Sequence, residues 1–104
     1  MSKSIWQEAQ ERLIADAREK RAAELRGKVV SEQEQAAIRK VAEERARRRY
    51  TITRRDELDS RAPKGSPERT RWEMRVARMA DAETAEAVAE LENARIAQEV
   101  ANIK

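Results

Sequence analysis

The sequence contains no cysteine and no histidine among its 104 residues. Without cysteine there is no disulfide framework, no thiolate metal site and no cysteine nucleophile. Without histidine the chain lacks the commonest general base and the commonest ligand of transition metals. The carboxylates show no pattern of an acid–base pair, and the glycine-rich cradle of a phosphate-binding loop is absent. We therefore expect a protein that is not an enzyme and that uses no metal, no cofactor and no small-molecule substrate.

Aromatic side chains are almost as scarce, since phenylalanine is absent and only Trp6, Tyr50 and Trp72 occur. Hydrophobic residues make up 39% of the chain and many of them are alanines, which is too little bulk for a thick globular core. Charged residues reach 41%, a composition typical of long helices with solvated outer faces. The sequence predicts an all-α protein, one domain over residues 1–104, whose long amphipathic helices form a helical hairpin or a coiled-coil-like bundle. Disorder is the alternative, because low hydropathy with high charge also describes unfolded chains.

Long apolar runs are missing too. No stretch approaches the roughly 18 residues that a membrane-spanning helix needs. The N-terminus MSKSIWQEAQ lacks the apolar region of a signal peptide. The expectation is a soluble protein of the cytoplasm (or of the nucleoid) that has no membrane partner.

Capping patterns indicate where the first two helices begin. Ser4 is followed three residues later by Gln7, and Ser31 by Glu34. In such a capping box each side chain satisfies a free backbone N–H group at the start of a helix. The helices predicted from these caps and from the apolar spacing span about 4–26 and about 32–50.

The segment after Tyr50 allows two interpretations. The β-branched residues Thr51, Ile52 and Thr53 weaken a helix. Either the second helix nevertheless continues to about residue 60, or Thr53 caps a short helix of its own.

Proline and glycine are concentrated in one place. Both prolines of the chain and one of its two glycines lie within residues 62–67, which predicts a loop. Ser66 followed by proline is a favourable pair for the start of the next helix. That helix is predicted over about 67–103, with a possible kink near 80–81.

Charge changes sign from segment to segment although the net charge is only +3. Residues 1–44 contain nine basic and nine acidic side chains and are neutral. Residues 45–78 contain twelve basic and five acidic side chains, a net charge of +7. Residues 79–104 contain two basic and six acidic side chains, a net charge of −4. Such asymmetry bears on partners or self-association and not on the fold.

Two arginine-rich stretches form the candidate binding site. The first is RARRRYTITRR, residues 45–55, with six arginines. The second places three arginines on one stripe of the last helix, and a chain reversal at the loop would bring the two stretches together. Guanidinium groups bind phosphates bidentately, although basic residues near a helix C-terminus are also favoured by the helix dipole. The predicted binding residues for an anionic partner are Arg45, Arg47, Arg48, Arg49, Arg54, Arg55, Arg71, Arg75 and Arg78.

The last helix also carries candidates for a protein interface. Three glutamates share one face, which either meets a basic surface or is simply solvated. Apolar residues on several sides predict packing between two neighbours, and therefore a homodimer. The interface candidates are Glu83, Glu86, Glu90, Val88, Leu91, Ile96, Val100 and Ile103.

The leading hypothesis is a non-enzymatic protein with an accessory or regulatory role that binds DNA or RNA. The arginines would neutralise phosphates without reading bases, because no recognised nucleic-acid motif is present. The alternative is an adaptor or inhibitor, such as a small regulatory protein of the kind made by phages, that binds a partner protein through its helical faces.

Overall fold

The computed structural model describes residues 2–104 and is all-α, with no strand in that part of the chain. The expectation of an all-α protein is thereby confirmed. The four helices are α1 (Ile5–Leu25), α2 (Glu32–Arg49), α3 (Arg54–Arg61) and α4 (Pro67–Ala101).

The helices begin where side chains can satisfy their free N–H groups. Both predicted capping boxes are confirmed: the Ser4 hydroxyl accepts from the Gln7 backbone at α1, and the Ser31 hydroxyl accepts from the Glu34 backbone at α2. At α3 the Thr53 hydroxyl accepts from a backbone N–H at 3.1 Å. Each such cap stabilises its helix by about 1 kcal/mol.

The interpretation in which α2 continues to residue 60 is wrong. Helix α2 ends at Arg49, and a separate helix, α3, begins at Arg54. The β-branched residues between them favour extended backbone, and Thr53 adopts it (φ −80°, ψ 152°) while capping α3. Helix α4, by contrast, continues through residues 80–81 without a break.

The two glycines lie where the backbone turns sharply. Gly27 (φ 78°) follows α1 and Gly65 (φ 86°) lies in the loop before α4. Side chains with a Cβ atom rarely adopt such positive φ angles, so glycine is the residue that ends these segments at the least cost.

The chain contacts divide the molecule into two compact units. Unit 1 consists of Met1–Val30 and Glu90–Lys104, and unit 2 of Ser31–Ala89. Helix α4 contributes residues to both of them.

Unit 2 has a core of small residues around one indole. Its buried residues are Ala42, Ala46, Trp72, Val76 and Ala80. The alanines leave room for the backbones of α2 and α4 to approach closely. Because the core is thin, the single tryptophan supplies much of its buried apolar surface.

Unit 1 combines buried apolar residues, Val30 and Ile96, with polar contacts between its two segments. Arg26 donates to Asn93 at 3.0 Å and forms an ion pair with Glu92 at 3.4 Å. Arg18 donates to the carbonyl oxygen of Ile103 at 3.0 Å. Helix α1 has no fully buried residue, and its apolar contacts are made by half-buried side chains such as Leu25.

Candidate anion-binding site

The first arginine stretch occupies two different helix ends. Arg47, Arg48 and Arg49 lie in the last turn of α2, where the helix dipole favours cations. Arg54 and Arg55 are the first two residues of α3, where the dipole disfavours cations. Helix stability therefore accounts for the first group and not for the second.

The second stretch forms a row on α4. Arg71, Arg75 and Arg78 line one shallow depression together with Met74. At 100° per residue they fall within a 60° arc, so the row follows the helix axis for about 10 Å.

Two ring contacts connect the stretches within unit 2. The guanidinium of Arg47 lies 5.5 Å from the ring centre of Trp72, the neighbour of Arg71. The guanidinium of Arg75 lies 4.5 Å from the ring centre of Tyr50, the neighbour of Arg49. Both distances suit a cation–π contact. The end of α2 and the beginning of α4 are thus in contact through these rings.

Most of these arginines have no carboxylate partner. Arg75 is the exception, because it forms an ion pair with the buried Asp56 at 2.6 Å. Within residues 2–104 no other arginine of the two stretches forms an ion pair, and all of them are exposed. We call these eight residues the unpaired arginines: Arg45, Arg47, Arg48, Arg49, Arg54, Arg55, Arg71 and Arg78.

Three of the five carboxylates in residues 45–78 pair with arginines outside this set, and Asp59 and Glu68 form no ion pair within residues 2–104. Besides Asp56, residues 45–78 contain two more paired acids: Glu57 binds Arg61 at 2.9 Å and Glu73 binds Arg69 at 3.0 Å. Both are pairs four residues apart on one helix, a spacing that brings the side chains together. The positive charge of this segment therefore stays on the unpaired arginines.

Arg69 is a structural residue that sequence reasoning missed. Its guanidinium donates to the carbonyl oxygens of Ser60 at 2.7 Å and Ala62 at 3.4 Å, at the end of α3. It also lies 5.4 Å from the ring centre of Trp72. The spacing of Arg69 and Glu73 was a signal for their ion pair, but nothing in the sequence indicates the carbonyl contacts.

Trp72 is a core residue, as its spacing with Val76 and Met79 indicates. Its side chain is 4% exposed, and its Nε1 donates to the carbonyl oxygen of Tyr50 at 2.8 Å. The indole therefore anchors the end of α2 on α4, and it is not available to a ligand.

An open apolar groove of about 370 Å³ in unit 2 is lined by one of the unpaired arginines, Arg45. Val41 in its floor is 52% exposed, and Arg45 and Glu83 are its charged lining residues. The remaining lining residues are Ala37, Ile38, Ala42 and Ala87.

The other interface candidates are placed unevenly. Glu86 and Glu90 are exposed, whereas Ile96 is only 5% exposed and offers no surface to a partner. The half-buried candidates are Val88, Leu91, Val100 and Ile103.

The described residues contain no metal-binding cluster. Among residues 2–104 no group of three or more acidic side chains could hold a metal ion. None of the helices described has an apolar stretch of the length needed to cross a bilayer. No family model, no curated protein and no solved structure matches this chain.

Proposed function

We propose that this chain is a non-enzymatic binding protein for nucleic acid, DNA or RNA, with an accessory or regulatory role. The observation that carries the proposal is the set of eight unpaired arginines in unit 2. Concentrated like charges repel one another and destabilise the compact state. A bound anion would reduce this repulsion, which no carboxylate within residues 2–104 neutralises through an ion pair. A phosphate backbone supplies such anions at regular intervals, and each phosphate neutralised releases counterions.

The position of Arg54 and Arg55 supports this proposal over a purely structural role. The first turn of a helix favours acidic residues, and two arginines there oppose the dipole. An external anion bound to the two arginines would offset this unfavourable interaction.

A comparison of two triple variants tests the proposal. In the first, Arg48, Arg54 and Arg71 are replaced by glutamine. In the matched control, Arg12, Lys20 and Lys40 are replaced by glutamine; these are exposed cations without an ion pair within residues 2–104. Both variants lose the same charge.

Fluorescence anisotropy with labelled DNA and RNA gives the readout. Loss of up to three phosphate contacts should weaken binding at 0.1 M salt at least about tenfold. It should also lower the salt slope, the steepness with which the logarithm of the association constant falls with the logarithm of salt concentration, by about 2. The control should change affinity by less than about threefold. If the control loses as much as the first variant, the interaction depends on net charge alone and the proposed site is wrong.

Binding of a protein partner is the second candidate, and the open groove favours it. Its alanine-lined floor with the exposed Val41 could accept the apolar face of a helix, with Arg45 and Glu83 as charged contacts. Val41→Gln, which adds no charge beside Arg45, should then abolish capture of the protein partner while nucleic-acid affinity stays within about twofold. An unchanged set of captured proteins would argue against the groove.

We also propose that two copies associate through helical faces in a coiled-coil-like manner. Ile5, Trp6 and Leu13 on α1 are exposed large hydrophobic residues, and α1 buries no residue in its own chain. Light scattering coupled to size-exclusion chromatography should give about twice the chain mass. A strictly monomeric mass at high micromolar concentration would contradict the association.

A further inference from the structure

The aromatic rings near the unpaired arginines are already engaged. Trp72 is buried, and the guanidiniums of Arg47 and Arg69 lie 5.5 and 5.4 Å from its ring centre. The half-buried ring of Tyr50 has the guanidinium of Arg75 at 4.5 Å. Neither ring can serve as a stacking surface for a base unless these contacts are broken.

The remaining aromatic residue is Trp6. Trp6 belongs to unit 1 and lines a depression with Lys3 and Glu11, which pair with each other at 2.7 Å. No unpaired arginine lines that depression. The proposed binding site in unit 2 therefore has charge without a stacking platform.

This combination favours one class of nucleic acid. Proteins that hold single strands gain about 1–3 kcal/mol from each base stacked on an aromatic ring. Without stacking, affinity comes from phosphate neutralisation, which grows with the charge density of the ligand. A duplex carries about one charge per 1.7 Å of axis, about twice the density of either strand.

Resting on the proposed function, we infer that the unpaired arginines bind double-stranded nucleic acid in preference to single strands of the same sequence. Arg71 and Arg78 lie about 10 Å apart along the helix axis, so each can reach a different phosphate of one strand. With two of the unpaired arginines at the end of α2, about four phosphates are contacted. The logarithm of the association constant falls with the logarithm of salt concentration by about 0.9 per phosphate for a duplex and about 0.7 for a single strand. For equal affinities at 1 M salt, four phosphates then give about sixfold tighter duplex binding at 0.1 M salt.

The experiment measures fluorescence anisotropy with four probes of one sequence, each about 20 nucleotides long: duplex DNA, duplex RNA and the corresponding single strands. The sequence is chosen so that its single strands do not pair with themselves. Either duplex should bind the full chain about sixfold more tightly than its own strands at 0.1 M salt. Single strands that bind as tightly as both duplexes would overturn this inference and leave the proposed function standing. No binding of any probe at 0.05 M salt would instead overturn the proposed function itself.

A variant with an added ring tests the physical reason. Met74 is half exposed in the depression lined by Arg71, Arg75 and Arg78, so Met74→Trp places an indole among the arginines. Stacking of one base should raise single-strand affinity about tenfold, while duplex affinity stays within about twofold. An equal gain in affinity for duplex and single strand would overturn the inference. It would show that the missing aromatic ring is not what limits single-strand binding. Trp6→Leu is the matched control and should leave both affinities unchanged.

Discussion

Replacing Trp72 by phenylalanine should destabilise unit 2 by about 2 kcal/mol. The change removes the hydrogen bond from Nε1 to the Tyr50 carbonyl oxygen, which contributes about 1 kcal/mol. It also weakens the cation–π contacts of Arg47 and Arg69, each worth about 0.5–1 kcal/mol at partly exposed sites. Trp72→Ala removes the whole side chain from the core and should cost about 4 kcal/mol.

Urea denaturation followed by circular dichroism at 222 nm measures this loss. With a urea dependence of about 1–3 kcal/mol per molar, Trp72→Phe should lower the midpoint by about 1 M. Trp6→Phe is a matched control in the same chain at a concentration where the chain is monomeric, because Trp6 is 62% exposed within its own chain. It should shift the unfolding free energy by less than about 0.5 kcal/mol.

Two outcomes would refute this reasoning. The first is a Trp72→Phe variant within about 0.5 kcal/mol of the parent, which would mean that the indole hydrogen bond and the ring contacts contribute nothing. The second is a Trp6→Phe variant that loses as much as Trp72→Phe, which would place Trp6 in a contact that its exposure contradicts.

Three further substitutions probe other parts of the fold. Ser31→Ala removes the cap of α2 and should lower the unfolding free energy by about 1 kcal/mol in urea denaturation. Ala80→Leu forces a larger side chain into a site that is 0% exposed and should cost about 1–3 kcal/mol, whereas Ala85→Leu on the exposed surface should be neutral. Asp56→Asn breaks the ion pair with Arg75 and should cost about 1 kcal/mol, yet it should raise the nucleic-acid salt slope by about 1 by freeing one more arginine.

Each of these predictions has a contrary result. A fully stable Ser31→Ala variant would show that the capping box contributes nothing to α2. Equal costs for the two alanine replacements would contradict the close approach of α2 and α4. An Asp56→Asn variant with an unchanged salt slope would mean that Arg75 takes no part in binding.

Local signals in the sequence predicted the helix starts well. A capping box needs only residues three apart, so Ser4 with Gln7 and Ser31 with Glu34 can be read without knowledge of the fold. The loop before α4 is equally local, because proline and glycine restrict their own backbone. The choice between a long α2 and a separate α3 required the observed conformation of Thr53.

Contacts between distant residues could not be predicted in this way. Asp56 and Arg75 are 19 residues apart, and only the structure shows that this arginine is paired while Arg71 is not. The carbonyl contacts of Arg69 depend on where α3 ends relative to α4. The burial of Ile96 within unit 1 could not be predicted either. The spacing of apolar residues indicates that Ile96 makes a contact, but not whether the contact is with its own chain or with a partner.

The salt dependence of duplex binding is the most direct test of the proposal that the unpaired arginines neutralise phosphates. Affinity for a 20-base-pair DNA should be measured between 0.05 and 0.3 M salt. About four phosphate contacts predict that the logarithm of the association constant falls with the logarithm of salt concentration with a slope near −3.6. A slope weaker than about −1, or no binding at 0.05 M salt, would contradict phosphate neutralisation by these arginines.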